Sequence, residues 1–278
     1  MAPVVSNRAG EAKFVTPWDI RAARRAFGAA MLGLVVVWLV TAASDEGQLT
    51  VGARAGRTMP LAPLCSAVGA ALALGTERVR QESRAFEALG RAPGETGRLA
   101  ALGAALPSLA VAFAIAAVPR VDVDAFYPRA AVGDQFVAQQ DGTFVSRTLG
   151  VLVDADGETH ALEEPLPASD ADLPRGARMS AAAATGLAGV ALALVASRAA
   201  LRRSMLEPRA RRRMRAFAIG ESLACALLTL VAFQAAAARV VPAGIAVVPP
   251  AALLALTLVR QRLDRDGFIL RSDRRRTS

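Results

Sequence analysis

Six apolar runs, at 26–43, 59–76, 100–118, 179–196, 216–238 and 240–259, constrain this chain more than any motif in it. Each has the length a helix needs to cross a hydrocarbon layer of roughly 30 Å at about 1.5 Å per residue. In hydrocarbon the backbone must hydrogen-bond to itself, so runs of this length predict helices rather than strands. Pro60 and Pro63 fall in the opening turns of the second run, where proline is tolerated. The expected fold class is therefore an all-α polytopic membrane protein of six transmembrane helices, in which apolar residues make up 54% of the chain.

The segments between the runs set the topology. The arm 1–25, the segment 77–98, the loop 198–215 and the tail from 260 carry 5, 5, 8 and 7 basic residues, 25 of the chain's 33. The positive-inside rule places these four on the cytoplasmic side, with both termini there, as six spans require. Residues 119–178 then lie outside. They hold 11 acidic residues against 5 arginines, cluster Gly-Asp turn signals and alternate as strands do at 143–153, followed by Asp154-Ala155-Asp156-Gly157 and a return through 159–162. A small β-rich extracytoplasmic domain is expected there, between spans three and four. The net charge of +9 flanks apolar runs instead of interleaving with aromatics, which argues for topology and against a nucleic-acid partner. Cys65 and Cys225 both fall in apolar runs, where a structural disulfide is not expected. Before the first run, Pro17-Trp18-Asp19 reads as the start of a short interfacial helix with Trp18 at headgroup level.

Much catalytic chemistry is excluded. The only lysine, Lys13, precedes Phe14, so no Gly-Lys-Ser/Thr phosphate loop exists and any ATP must be bound and hydrolysed by a partner. The single histidine, His160, cannot form a multi-histidine zinc site and reads as a solvated loop residue. Asp154 and Asp156 lack the glycine and terminal Glu spacing of a calcium loop and fit a tight turn. No His or Lys that could serve as base to a Ser or Cys nucleophile lies in any apolar run. The chain reads as a non-enzyme without metal or cofactor.

One acid does lie in an apolar run. Glu221 stands about six residues into the fifth, roughly 9 Å deep, where a carboxylate is costly unless paired or protonated. It either binds a cationic group of a substrate or pairs with an arginine of a neighbouring helix; the plainer alternative is that it reaches Arg215 or water near the interface. Small residues such as Gly69 with Ala73, and Gly186 with Ala182 and Gly189, permit close helix approach and read as generic packing.

The segment 77–99, ERVRQESRAFEALGRAPGETGRL, alternates acids and arginines between two apolar runs. Ser83 to Gly90 lacks a strong apolar face beyond Ala85, Phe86, Ala88 and Leu89, so a helix there gains little from its own chain. Phe86 and Leu89, three apart, would share one side open to a partner's groove. The alternative is a solvated loop of alternating charge.

The layout of three spans, an outer β domain and three more spans resembles the LptF/LptG permeases of lipopolysaccharide exporters, ABC-type transporters. The residues that carry the resemblance are Pro17-Trp18-Asp19-Ile20 and, above all, 82–93, where Glu87-Ala88-Leu89-Gly90 is similar to the family's coupling helix. The resemblance implies that Arg84, Phe86, Glu87, Leu89, Gly90 and Arg91 face an ABC ATPase dimer, that a second permease subunit, the same chain or a paralogue, completes the transporter, and that the substrate is lipid or lipopolysaccharide-like. It also implies residence in a bacterial inner membrane. The family's periplasmic jelly roll exceeds a hundred residues, whereas the outer segment here has about 60, so it is a reduced one. Permeases of the FtsX/MacB type carry a similar charged turn but have four spans. A different class of function, a membrane sensor or envelope-assembly scaffold with an extracytoplasmic binding domain, needs the same spans and no coupling helix.

Overall fold

The computed structural model describes residues 15–44, 51–89, 91, 93–127, 137–138, 143–146, 151–154, 156–161, 173–202 and 208–276. Among them six helices are long and apolar enough to cross a membrane, as the apolar runs require. α1 spans Pro17–Ser44. Thr16 and Asp19 close a reciprocal cap at its start, Thr16 N–H donating to Asp19 Oδ2 at 3.0 Å and Asp19 N–H to Thr16 Oγ1 at 3.3 Å. That cap in front of Pro17 makes the lead-in the first turns of the spanning helix and not a separate interfacial one.

The second span is α2 (Val51–Thr58), a 3₁₀ turn (Met59–Leu61) and α3 (Ala62–Leu74). Part of the stretch between the first and second apolar runs is thus helical, as α2, ahead of the second run's start at 59. Gly52 and Gly56, one turn apart, let this helix lie on the backbone after the third span: a Cβ there would stand 2.7 Å from the Arg120 carbonyl oxygen and 2.5 Å from that of Asp122. α4 (Glu77–Ala88) and the single turn α5 (Pro93–Thr96) precede α6 (Arg98–Ala117). α7 (Ala177–Arg202), α8 (Pro208–Ala237), a 3₁₀ turn (Ala243–Val247) and α9 (Val248–Arg276) complete the chain, and α9 carries helix through the region expected as a polar tail.

α1, α3, α6 and α7 pack against one another, with α8 and α9 on the flank of α7. The contacts are made by small residues. A Cβ on Gly103 of α6 would lie 2.4 Å from the Ala23 carbonyl oxygen of α1; one on Gly69 of α3 would lie 2.7 Å from the Ala30 methyl; one on Gly189 of α7 would lie 2.3 Å from the Ser108 Cβ of α6. Ser66 and Ser108 satisfy each other's hydroxyls at 2.9 Å inside this packing. Large aliphatics point the other way: Leu32, Val36 and Leu39 on α1 and Leu223, Leu227 and Val231 on α8 are exposed. Such side chains are at no disadvantage against lipid tails, which is why α7 is 67% buried over its apolar window and α8 only 17%.

At the end of the bundle away from α4, Arg178 donates to the carbonyls of Ile115, Val118, Pro119 and Val121 at 2.9–3.1 Å, satisfying acceptors that the end of α6 leaves open. Phe126 and Tyr127 pack edge-on against Phe233, and the Tyr127 hydroxyl donates to the Ala177 carbonyl at 2.8 Å; burial pushes this phenol up to about 12.

Between α6 and α7 the described strands β1 (Val137–Ala138), β2 (Phe144–Ser146), β3 (Val151–Val153) and β4 (Thr159–Ala161) form an antiparallel meander in chain order. The alternation at 143–153 is two strands and not one, with Ser146 opposite Val151. Asp154 to Gly157 is the tight turn expected, Gly157 N–H donating to the Asp154 carbonyl at 2.9 Å with Gly157 at φ +80°.

Gly103→Ala should lower the melting temperature in detergent, by about 1–3 kcal/mol of overpacking, whereas Gly28→Ala, whose Cβ meets nothing within 4 Å, should leave it unchanged or raise it. Equal effects in the two variants would contradict the close packing of α1 on α6.

Candidate functional site

α4 is built on two faces. Val79, Ser83 and Phe86 follow one another at helical spacing and turn inward: Val79 and Ser83 are fully buried and Phe86 packs against the core beside Trp18. Gln81, Arg84, Ala85, Ala88 and Leu89 form the outward stripe, with Leu89 84% exposed. The helix therefore does have an apolar face for its own chain. Val79 and Phe86 supply it, with the small Ser83 between them allowing the helix to sit close. The pairs Arg78–Glu82 and Glu77–Arg80, at 3.2 and 2.8 Å, each open to solvent on at least one side, add about 0.2–0.5 kcal/mol each.

What seats α4 is the first turn of α1. The Trp18 indole N–H donates to Glu82 Oε2 at 2.8 Å, and its ring meets the Phe86 ring at 5.6 Å between centroids, tilted by 56°. After α4 the Arg91 N–H donates to the Phe86 carbonyl at 3.1 Å, the bond that folds a chain back over a helix end. Arg91 is thereby returned to α1, where one guanidinium nitrogen contacts both oxygens of Asp19 at 2.9 Å and the group stands 5.9 Å from the Phe86 ring centre. Asp19 is 1% exposed, so its charge is held by Arg91 and by the Thr16 cap together. Trp18, expected at headgroup level, is instead buried in the protein because Phe86 covers it.

The six residues expected to face a partner divide accordingly. Arg84 and Leu89 are exposed on the outward stripe; Phe86 and Arg91 are engaged with α1; Glu87 is half-buried; Gly90 lies outside the described residues. Phe86 and Leu89 do not share a free side, since the last turn of α4 puts one against Trp18 and the other in the open. Burial pushes the Glu87 carboxyl above the usual range, against the pull of neighbouring Ser83 and Arg84, and its Oε2 has no hydrogen-bond partner among the described residues. The Trp18 indole, then Arg78, hold Glu82 below it.

Glu221 pairs with Arg260 across α8 and α9, the neighbouring-helix arginine being one of the three readings its position raised; the Arg215 side chain lies outside those described. Both lie toward the end of the bundle where α4 sits, and they line a cavity of about 290 Å³ with Val195, Arg198, Ala199, Met214, Phe217, Ala218 and Thr257. Arg260 was legible as the residue ending the sixth run; its partnership depends on α8 and α9 being antiparallel neighbours. His160 sits 3.3 Å from Asp154, exposed, and no group of three or more metal-ligating side chains occurs among the described residues.

Asp19→Asn should weaken the seat of α4 by about 2 kcal/mol, read as a lower melting temperature and a red shift in Trp18 emission measured in a Trp38→Phe background. Glu87→Gln should do the opposite at pH 7. A carboxyl whose folded pKa is raised supports the fold fully below its unfolded value near 4.5, and that support is lost as pH rises through the folded value. The gain of Glu87→Gln over wild type should therefore shrink as pH falls toward 4. Compared with protein-family models, with characterised proteins and with solved structures, this chain matches none.

Proposed function

We propose that this chain is the membrane permease subunit of an ABC-type exporter, moving lipid or a lipopolysaccharide-like substrate and driven by a separate ATPase that docks on α4. The observation that carries the reading is the two-faced build of that helix. It joins two spanning helices, its inner face is bolted to the start of a third, and its outer face ends in a bare leucine flanked by Ala85, Ala88 and Arg84. A helix of this kind can receive a push from outside and pass it on.

The path runs through named groups. A displacement of α4 pulls on Trp18 through Glu82 and Phe86, and on Asp19 through Arg91, so it reaches α1 as well as α3 and α6. α1 is the spanning helix least enclosed by the rest, 11% buried over its apolar window, and is the one most free to shift. Together with the 25 basic residues, this arrangement supports a bacterial inner-membrane location with both termini and α4 cytoplasmic and the β meander outside. ATP is bound by the partner, and a second permease subunit completes the transporter. The resemblance of 82–93 to the LptF/LptG coupling helix favours lipid as cargo.

Purification of the tagged protein in mild detergent should bring down an ABC ATPase, identified by mass spectrometry, and Arg84→Glu with Leu89→Glu should cut that recovery at least tenfold while Trp18 emission stays unchanged. Recovery without any ATPase, under conditions where a known exporter stays whole, would favour a sensor or scaffold.

A further inference from the structure

α8 begins two turns before its apolar run, and those turns are basic. Arg209, Arg211, Arg212, Arg213 and Arg215 precede the span that opens at Ala216, and the first turn holds no acid. Such a start works against the helix, whose dipole is positive at this end and in which like charges four residues apart repel. Arg209 and Arg213 are such a pair; both are exposed, and neither has a hydrogen bond or ion pair among the described residues. Pairing within the region does not remove the charge, because residues 202–221 and 260–276 hold 14 arginines against five acids, Glu207, Glu221, Asp264, Asp266 and Asp273.

The pair also shares the face that α8 turns to lipid. Arg209, Arg213, Ala216, Gly220, Ala224 and Leu227 recur three or four apart and all are exposed, which makes them one stripe. At about 1.5 Å per residue Arg213 stands about 4.5 Å, and Arg209 about 10 Å, before the start of the run. Headgroups occupy about 5–7 Å on each side of the hydrocarbon, so the two guanidiniums bracket that layer. Further along, the stripe is a shallow trough: a Cβ on Gly220 would meet nothing within 4 Å, while Phe217 and Leu223, 69% and 58% exposed, stand on its two sides.

We propose that this stripe binds an anionic phospholipid of the surrounding bilayer, its phosphodiester held by Arg209 and Arg213 and one acyl chain lying along Ala216, Gly220 and Ala224. A guanidinium presents paired donors that match phosphate oxygens, and basic clusters at the end of a spanning helix attract anionic lipid. An anion between the two arginines relieves a repulsion that the helix itself leaves standing. The order of groups along the stripe, charged, then small, then aliphatic, is the order of a lipid from headgroup to chain. A soluble anion would meet the same arginines and leave the trough unused. The site requires a bilayer and no ATPase, so it stands apart from the exporter reading.

The test is native mass spectrometry of the full-length protein in detergent with equimolar phosphatidylglycerol and phosphatidylcholine of identical chains. Wild type should retain phosphatidylglycerol in preference. Arg209→Gln with Arg213→Gln should lower that preference at least about fivefold, the factor one basic charge near a membrane surface is worth, at an unchanged melting temperature, since both side chains are exposed. Arg209→Lys with Arg213→Lys should keep most of the preference, which separates loss of charge from loss of fold. Arg274→Gln with Arg275→Gln removes the same charge from the last turn of α9, about 22 Å past the sixth run, and should leave the preference unchanged. Equal retention of the two lipids by wild type, or an equal fall in the two glutamine variants, would overturn the proposal. Displacement of the lipid from wild type by millimolar inorganic phosphate would overturn the lipid assignment in favour of a soluble anion.

Discussion

Close approach of backbones holds this bundle together. Lipid tails solvate leucine as well as another leucine does, so burying large aliphatics gives spanning helices little reason to associate. What remains is contact between surfaces with nothing protruding, and the chain supplies these at Gly69, Gly103 and Gly189, where a methyl group would collide with Ala30, with the Ala23 carbonyl or with Ser108. The Ser66–Ser108 hydroxyl pair sits in the same seam and satisfies two groups that hydrocarbon would penalise. α7 occupies the middle of this arrangement, and α8 and α9, richer in exposed aliphatics, are attached to it from one side.

The two ends of the bundle solve the problem of helix termini differently. At one end Arg178 reaches over four carbonyls of the chain leaving α6, and an aromatic cluster around Phe233 closes the joint between α6, α7 and α8. At the other end, a charged helix is drawn onto the start of α1 by an indole hydrogen bond, an aromatic contact and a buried ion pair. The first joint is made mainly of groups with neutral partners. The second is made of an indole hydrogen bond, an ion pair and a half-buried acid whose ionisation opposes its burial.

The helices were legible because their signal is length. A run of 18 or more apolar residues has one structural solution in a bilayer, and six helices long and apolar enough to cross one are present among the described residues. The tight turn at Asp154 was equally local. What could not be read were consequences of packing: that 51–58 coils because Gly52 and Gly56 let it rest on the Arg120 and Asp122 carbonyls, and that 143–153 folds back on itself as two strands. The segment 77–99 lay between these cases. A helix there was one of its two readings, yet Phe86, expected on an open side with Leu89, packs against Trp18, because spacing within a helix does not tell which side the remainder of the chain will cover.

The sequence by itself determined the number of spans, the side of the bundle on which positive charge collects and the absence of a phosphate loop, since each follows from composition along a line and from the cost of bare backbone or bare charge in hydrocarbon. Only the tertiary structure decided which charges meet. Asp19 and Arg91 are 72 residues apart and Glu221 and Arg260 are 39 apart, and no local rule pairs them. They meet because α4 folds back onto α1, and because α8 and α9 run antiparallel against α7.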